Sequence, residues 1–302
     1  GALRFARALE QNSGGRLSIR VFGDGELVPA LEVFDSVSRG TADLGHGTPA
    51  YWRGKLPASQ FFNGIPFGMT LRMYNAWLYH EGGWDLWRDI YEPFNLIPVA
   101  SGNTDTQMGG WFRDELNSVG DLKGLKMRIA GFGGEVFARV GGTPVLTAGS
   151  EILTSLQTGN IDAAEFSGPY NDQAFGFHQV AKHYYYPGWH EPTGMVETLV
   201  NKQSYEKLPE DLQAIVIATA MAENTYLTSE FYARNVHALR QLTQEHGVRV
   251  KRFPESIMSA LQNATKDILA ELAASDASVK RVLTSYAAFQ QSAQAWEEMS
   301  RV

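Results

Sequence analysis

With 302 residues and 44% hydrophobic side chains, the chain can bury one large core or two medium ones, and two lobes is the expectation at this size. Its net charge of −7, with no basic run longer than Lys251-Arg252, excludes a nucleic-acid backbone or an anionic membrane surface as partner. It has no cysteine, which removes disulfides, thiolate nucleophiles and thiolate metal sites, and no apolar run nears the roughly 20 residues of a membrane-spanning helix.

The chain opens directly in "ALRFARALEQNSGGRL", an amphipathic helix with no cap before it, so upstream residues, a removed targeting signal among them, are expected. The alternating "RLSIRVF" (Arg16 to Phe22) reads as the first strand. "NLIPVAS" (Asn95 to Ser101), "LKMRIA" (Leu125 to Ala130) and "MVETLVN" (Met195 to Asn201) read as later ones. Shifted by 119 positions, "ELVPALEVFDSVSRGTADLGHGTPAY" (Glu26 to Tyr51) lies over "VLTAGSEILTSLQTGNIDAAEFSGPY" (Val145 to Tyr170). Glu32/Glu151, Ser36/Ser155, Gly40/Gly159, Asp43/Asp162 and Tyr51/Tyr170 coincide. In both copies an apolar-faced helix stops at a glycine suited to the left-handed position beyond a helix end, and a short strand follows. The pattern describes two similar α/β lobes, or a helix-glycine-strand unit recurring inside one larger domain. With two lobes, "GHGTPAY" and "EFSGPY" end their strands where open α/β sheets bind ligands, and the cleft between lobes becomes the site. After Pro209 neither Gly nor Pro occurs until Gly247, which allows a helix of about 55 Å, long enough to brace both lobes. Two further helical patterns run from Pro254 to Ala274 and from Ala277 to the end; the last, rich in Ala, Gln and aromatics, is suited to packing on a partner subunit.

"LKMRIAGFGGEVFARVGG" places a strand, a glycine turn and a helix as a dinucleotide fingerprint does, but valine (Val136) stands where the third glycine belongs. Gly131, Gly133 and Gly134 are therefore expected to make a tight strand-to-helix turn. Arg128 is the more informative residue. Leu125, Met127 and Ile129 share one strand face and Arg128 takes the other, so an interior arginine there needs an anion, either a ligand carboxylate or an Asp or Glu of the chain, unless the strand is an edge and the arginine lies in water. Glu165 ends the second repeat and Glu191 lies in "YYYPGWHEP"; as carboxylates they suit acid-base work, hard-cation binding or solvated loops, the last favoured for Glu191. "HEGGW" lacks the second histidine of a zinc-protease helix, "TAGSE" and "EFSGP" are not nucleophile elbows, and the seven histidines show no metal-ligand spacing.

Four segments carry a family likeness: "SGGRLSIRVFGDGELVPALEVFDSVSRGTADLG", "MGGWFRDELNSVGDLKGLKMRI", "LQTGNIDAAEFSGPYNDQAFGFHQVAKHYYYPGWHEP" and "LVNKQSYEKLPEDLQ". Over nearly its whole length the chain resembles a DctP-like solute-binding protein of a TRAP transporter. The aromatic tract of the third segment resembles the branch that binds 2-oxo and 2-hydroxy monocarboxylates.

The resemblance implies an α/β, two-lobed periplasmic-binding-protein-like fold with a ligand cleft between lobes and a long bracing helix. Residues 1–112 would begin lobe 1 and 113–196 would form lobe 2 with the carboxylate- and metal-binding loops. Residues 197–248 would hold the return strand and long helix, mostly in lobe 1, and 249–302 the C-terminal segment, mostly in lobe 2. It further implies that Arg128 salt-bridges the ligand carboxylate, and that a metal ion bridges ligand and protein through Gln107, Glu165, the Phe166 carbonyl and Glu191. The residue at Phe166 is commonly tryptophan in the family, a change of pocket wall that leaves a backbone metal bond intact. Asn171 completes the polar ligand set, and Tyr51, Trp52, Phe67 and Trp189 would supply apolar walls. Glu165, Glu191 and a bound carboxylate sum to −3 against +1 from Arg128, so a divalent ion balances the set and Ca²⁺ is modestly favoured over Na⁺.

The expected function is extracytoplasmic, periplasmic capture of a pyruvate- or lactate-like acid for delivery to membrane permease subunits, with no enzymatic turnover. A homodimer through the C-terminal helix is compatible with "YAAFQQSAQAWEEM" (Tyr286 to Met299). The competing readings are a binding protein for a polyol or a longer oxo acid, an NAD-dependent oxidoreductase, and an effector-sensing domain of a regulator.

Overall fold

Eight consecutive buried residues, Leu96 to Asn103, mark a strand covered on both faces. The computed structural model describes residues 1–300. Its first part contains α1 (Ala2–Asn12), α2 (Val33–Ser38), β1 (Leu44–Gly47), α3 (Leu71–His80), α4 (Gly83–Tyr91) and β2 (Leu96–Asn103). There follow β3 (Gly110–Phe112), β4 (Lys126–Arg128), α5 (Gly131–Arg139), β5 (Thr143–Val145), α6 (Gly149–Thr158), β6 (Ala163–Ala164), α7 (Pro169–Phe175) and β7 (His183–Tyr186). The last part contains β8 (Met195–Asn201), α8 (Lys202–Glu206), α9 (Glu210–Gln244), β9 (Arg249–Arg252), α10 (Glu255–Ser275) and α11 (Ala277–Met299).

These strands build two sheets. One is antiparallel, in the order β1-β8-β2; the other is mixed, in the order β5-β4-β6-β3-β7-β9. The two repeated units fall in different sheets: α2 stops before Gly40 (φ 78°) and leads into β1, and α6 stops at Gly159 (φ 74°) and leads into β6. Both glycines take the left-handed conformation that a side chain resists. Each sheet is covered on both faces. In the first, an aromatic core with Phe62, Trp77, Trp87 and Tyr286 lies on one side, and Phe5, Leu9, Val216 and Ala220 lie on the other. Met127, Ile129 and Ile257 fill one face of the second sheet, and Ile152, Leu156 and Leu242 the other.

The uninterrupted stretch after Pro209 is one helix of 35 residues, about 52 Å long. Val216 and Ala220 of α9 pack on the first sheet, and Leu242 packs beside the second, so one rigid rod touches both. The C-terminal segment divides: Ile257 and Leu261 of α10 join the second core, whereas Val279, Val282 and Tyr286 of α11 return to the first. The expected strand Arg16 to Phe22 is not one. Leu17 and Ile19 pack toward α1 and α9, but a cavity of about 570 Å³ separates this segment from the edge of β1, so its backbone has no ladder partner.

Strand β8 buries one further charge-capable group. Glu197 is fully buried, accepts a hydrogen bond from Trp52 Nε1 and lies 3.4 Å from the Tyr91 hydroxyl, and burial pushes its carboxyl up to about 8. Its folded state therefore holds a proton that the unfolded chain releases near the ordinary carboxylate value. Stability is full below that value and is lost as pH rises toward 8, at most by about 1.4 kcal/mol per pH unit from this group. Glu197→Gln should remove one proton's worth of this slope in melting temperatures measured from pH 5 to 8; an unchanged slope would show that Glu197 ionises normally.

Candidate functional site

Three chain crossings or strand ends meet between the sheets. The link from β2 to β3 carries Gln107, the link from β7 to β8 carries His190 and Glu191, and the end of β6 carries Glu165. They are tied by backbone: Gln107 N donates to Glu191 O (3.3 Å) and Met108 N to Ser167 O (3.0 Å). A Cβ at Gly188 would sit 2.1 Å from the Gln107 carbonyl oxygen, so only glycine lets the two links approach this closely.

Arg128 ends β4 on the face opposite Met127 and is 1% exposed. Its Nη1 donates to Glu165 Oε1 and to the Glu165 carbonyl, both at 2.8 Å; Nε reaches the Thr147 carbonyl and Nη2 the Tyr51 hydroxyl, both at 3.3 Å. Those four bonds use four of the five N–H groups of a guanidinium, which leaves one for another acceptor. The anionic partner demanded by an interior arginine is thus Glu165 of the chain itself, while the fork keeps capacity for a ligand.

Glu165 Oε1 also accepts from Ala130 N (2.8 Å), and its Oε2 lies 3.2 Å from His190 Nε2. His190 Nε2 lies 3.3 Å from Gln107 Oε1, and Gln107 Nε2 donates to Glu191 Oε2 at 2.5 Å. Burial alone would push the Glu165 carboxyl up, but Arg128 and then His190 outweigh it and hold it below the usual carboxylate range. His190 is fully buried, which would pull its ring down, yet Glu165 holds it above its ordinary value. Glu191 is 7% exposed, and burial followed by the Glu165 charge pushes it up to about 7. The loop position of Glu191 does not leave it solvated: Gly188 draws its segment inward against Gln107.

A cavity of about 360 Å³ opens on this cluster. Arg128, Gln107, Glu165, Phe166, Glu191, Asn171 and Tyr51 line it together. Trp52, Phe67 and Trp189 do not. Trp52 turns into the first core to meet Glu197, and Phe67 and Trp189 pack on each other in the second core, with ring centroids 6.1 Å apart. Apolar lining comes from elements not foreseen as site: Met195 and Val196 of β8 and Leu227 and Phe231 of α9. His46, Asn63 and Ser167 add polar atoms. The glycines of α5 also do more than turn the chain. Gly131 takes φ 61°, and Gly133 approaches His190 so closely that a Cβ there would lie 2.9 Å from the histidine Cβ.

Sequence reasoning missed His190, and the signal was its place beside Glu191 in the same loop. Glu165 holds its ring above the ordinary value, a polar partner that the balance of carboxylates against Arg128 leaves out.

Among the described residues no three His, Asp or Glu side chains gather as a metal cluster. A metal here would draw on mixed oxygens: two carboxylates, the Gln107 amide oxygen and the Phe166 carbonyl, to which no described residue donates a backbone or side-chain hydrogen bond. This all-oxygen set fits a hard cation. Burial first and then the Glu165 charge raise Glu191, and a cation would relieve the second of these.

Residues 1–276 match the model of the DctP family, described as bacterial extracellular solute-binding protein, family 7. The chain is 40% identical, over all of its length and 83% of the relative's, to the monocarboxylate 2-oxoacid-binding periplasmic protein of Nostoc sp.. A TRAP transporter solute-binding protein of Bordetella bronchiseptica, solved with copurified calcium and picolinate, superimposes with a TM-score of 0.97 at 35% identity, covering 99% of this chain and 89% of that one. One from Pseudoalteromonas atlantica, solved with sodium and pyruvate, has a TM-score of 0.93 at 37% identity over 99% and 91% of the two chains. With the family model spanning most of the sequence, the chain belongs to the DctP family of bacterial extracellular solute-binding proteins.

Proposed function

We propose that this protein captures a small 2-oxo or 2-hydroxy monocarboxylate in the periplasm and hands it to the membrane permease subunits of a TRAP transporter. The observation that carries the reading is Arg128: a fully buried guanidinium with an unused N–H on a cavity that also holds the Glu165, Glu191 and Gln107 oxygens. The ligand carboxylate would take the open side of that fork. Gln107, Glu165, the Phe166 carbonyl and Glu191 would hold Ca²⁺ or Na⁺, which when bound offsets the surplus carboxylate charge and offers the ligand oxygens a hard cation. Calcium with picolinate in the Bordetella protein and sodium with pyruvate in the Pseudoalteromonas protein support both choices.

The site is built for retention. Its buried groups are engaged with one another and surround a closed set of oxygens, an arrangement for binding a solute and releasing it unchanged. The dinucleotide reading loses its support, because Gly131 to Gly134 form the first turn of α5 and Gly133 is packed against His190. A longer oxo acid is favoured by one feature, the apolar lining of Met195, Val196, Leu227 and Phe231. On α11, Trp296 and Met299 are 66% and 73% exposed and suit a homodimer contact.

Isothermal titration with pyruvate, lactate, 2-oxobutyrate, a branched oxo acid and mannitol, in Ca²⁺ and in sodium-free buffer with chelator, tests the proposal. Heat from the oxo acids that falls without metal is expected. Heat from mannitol alone, or from no monocarboxylate, would overturn it.

A further inference from the structure

Helix α7 begins directly after the Glu165–Ser167 turn, at Gly168, and its own N-cap provides no side chain to satisfy its first N–H groups. The missing acceptor comes from another element: Asn235 Oδ1, on α9, accepts from Tyr170 N at 3.0 Å. The fit is close. A Cβ at Gly168 would lie 3.0 Å from both terminal atoms of the Asn235 amide. Tyr170 is gripped at the same point, its ring 5.7 Å from that of Phe231 and 4.9 Å beneath the Arg234 guanidinium.

We infer that Asn235 is a positioning residue for the binding site. By capping α7 from outside, it fixes the turn that presents Glu165 and Phe166, and it references that turn to α9, whose other half is packed on the first sheet. Phe231 lies one helical turn from Asn235 and lines the cavity, so the same part of α9 bounds the ligand's apolar end and holds the loop at its polar end. The ligand arm of the test rests on the proposed function; the capping arm does not.

The test uses the full chain with Asn235→Ala, Asn235→Asp and Gly168→Ala. Three quantities are read: hydrogen-exchange protection of the Tyr170 amide without ligand, pyruvate affinity in Ca²⁺, and melting temperature. Asn235→Ala should lose Tyr170 protection and bind pyruvate about five- to tenfold more weakly, the worth of one helix cap, with little change in melting temperature. Asn235→Asp keeps the acceptor oxygen and should restore both. Gly168→Ala, which displaces the amide without removing it, should fall between. Undiminished Tyr170 protection in Asn235→Ala overturns the inference, and so does lost protection with unchanged affinity. Wild type with no heat from any of the monocarboxylates would overturn the proposed function instead, and Tyr170 protection would then decide the inference.

Discussion

Arg128→Ala should abolish carboxylate binding. The substitution removes the guanidinium that faces the cavity and leaves Glu165, 1% exposed, with only Ala130 N and the His190 ring as partners. Stranding Glu165 costs about 3–5 kcal/mol of stability, so the ligand-free protein should melt earlier, and loss of the ligand's own charge partner should lower affinity by about 30- to several-thousand-fold. The two effects separate in Arg128→Ala/Glu165→Gln, which removes the stranded charge. Its melting temperature should recover part of the loss while pyruvate still fails to bind. If the single variant kept its affinity, Arg128 would be a structural partner of Glu165 and nothing more.

Glu165→Gln is the second large effect, and the hydrogen bonds say why. Oε1 faces two donors, Arg128 Nη1 and Ala130 N, and Oε2 faces His190 Nε2. An amide has one acceptor end, so either its NH₂ opposes the Arg128 and Ala130 donors or it turns to His190 and the ring must take its other tautomer and give up Gln107 Oε1. The arrangement of Gln107 and Glu191 around His190 then shifts, and a metal ion loses a charged ligand. Affinity for the ion should fall by about 10–100-fold, on the scale of altered metal-site shells, with pyruvate affinity following it. Added Ca²⁺ or Na⁺ should restore binding in part. A wild type whose pyruvate affinity is the same in sodium-free chelator would contradict the metal's role.

Much of the fold was legible because its signals are local. The absence of Gly and Pro between Pro209 and Gly247 is sufficient for α9, and the glycines at 40 and 159 mark two helix ends by left-handed backbone that side chains resist. Strands β2, β4 and β8 show their apolar alternation directly. What was illegible depended on partners far away in sequence. Arg16 to Phe22 alternates like a strand, but pairing is a property of a neighbour, and the space beside β1 is open. Trp52 looks like a pocket wall until Glu197, 145 residues on, claims its indole nitrogen. Helix α11 has no local mark that sends it back to the first core through Tyr286, whose hydroxyl accepts from Met69 N.

The same division holds for the candidate site. Arg128 stands out because an arginine on the second face of an interior strand needs an anion, and Glu165 because it ends a repeated strand. His190 does not stand out: its two partners are 25 and 83 residues away. Leu227, Phe231 and Asn235 belong to a helix whose pattern reads as a brace, and only the packing of α7 against α9 brings them to the ligand loop.

A crystal structure of the full chain grown with pyruvate and Ca²⁺, with anomalous diffraction to mark the metal, tests the site most directly. The expected result is the pyruvate carboxylate on the Arg128 guanidinium, with one cation between it and the oxygens of Gln107, Glu165, Phe166 and Glu191. Pyruvate bound away from Arg128, or bound there with no cation at those oxygens, would contradict it.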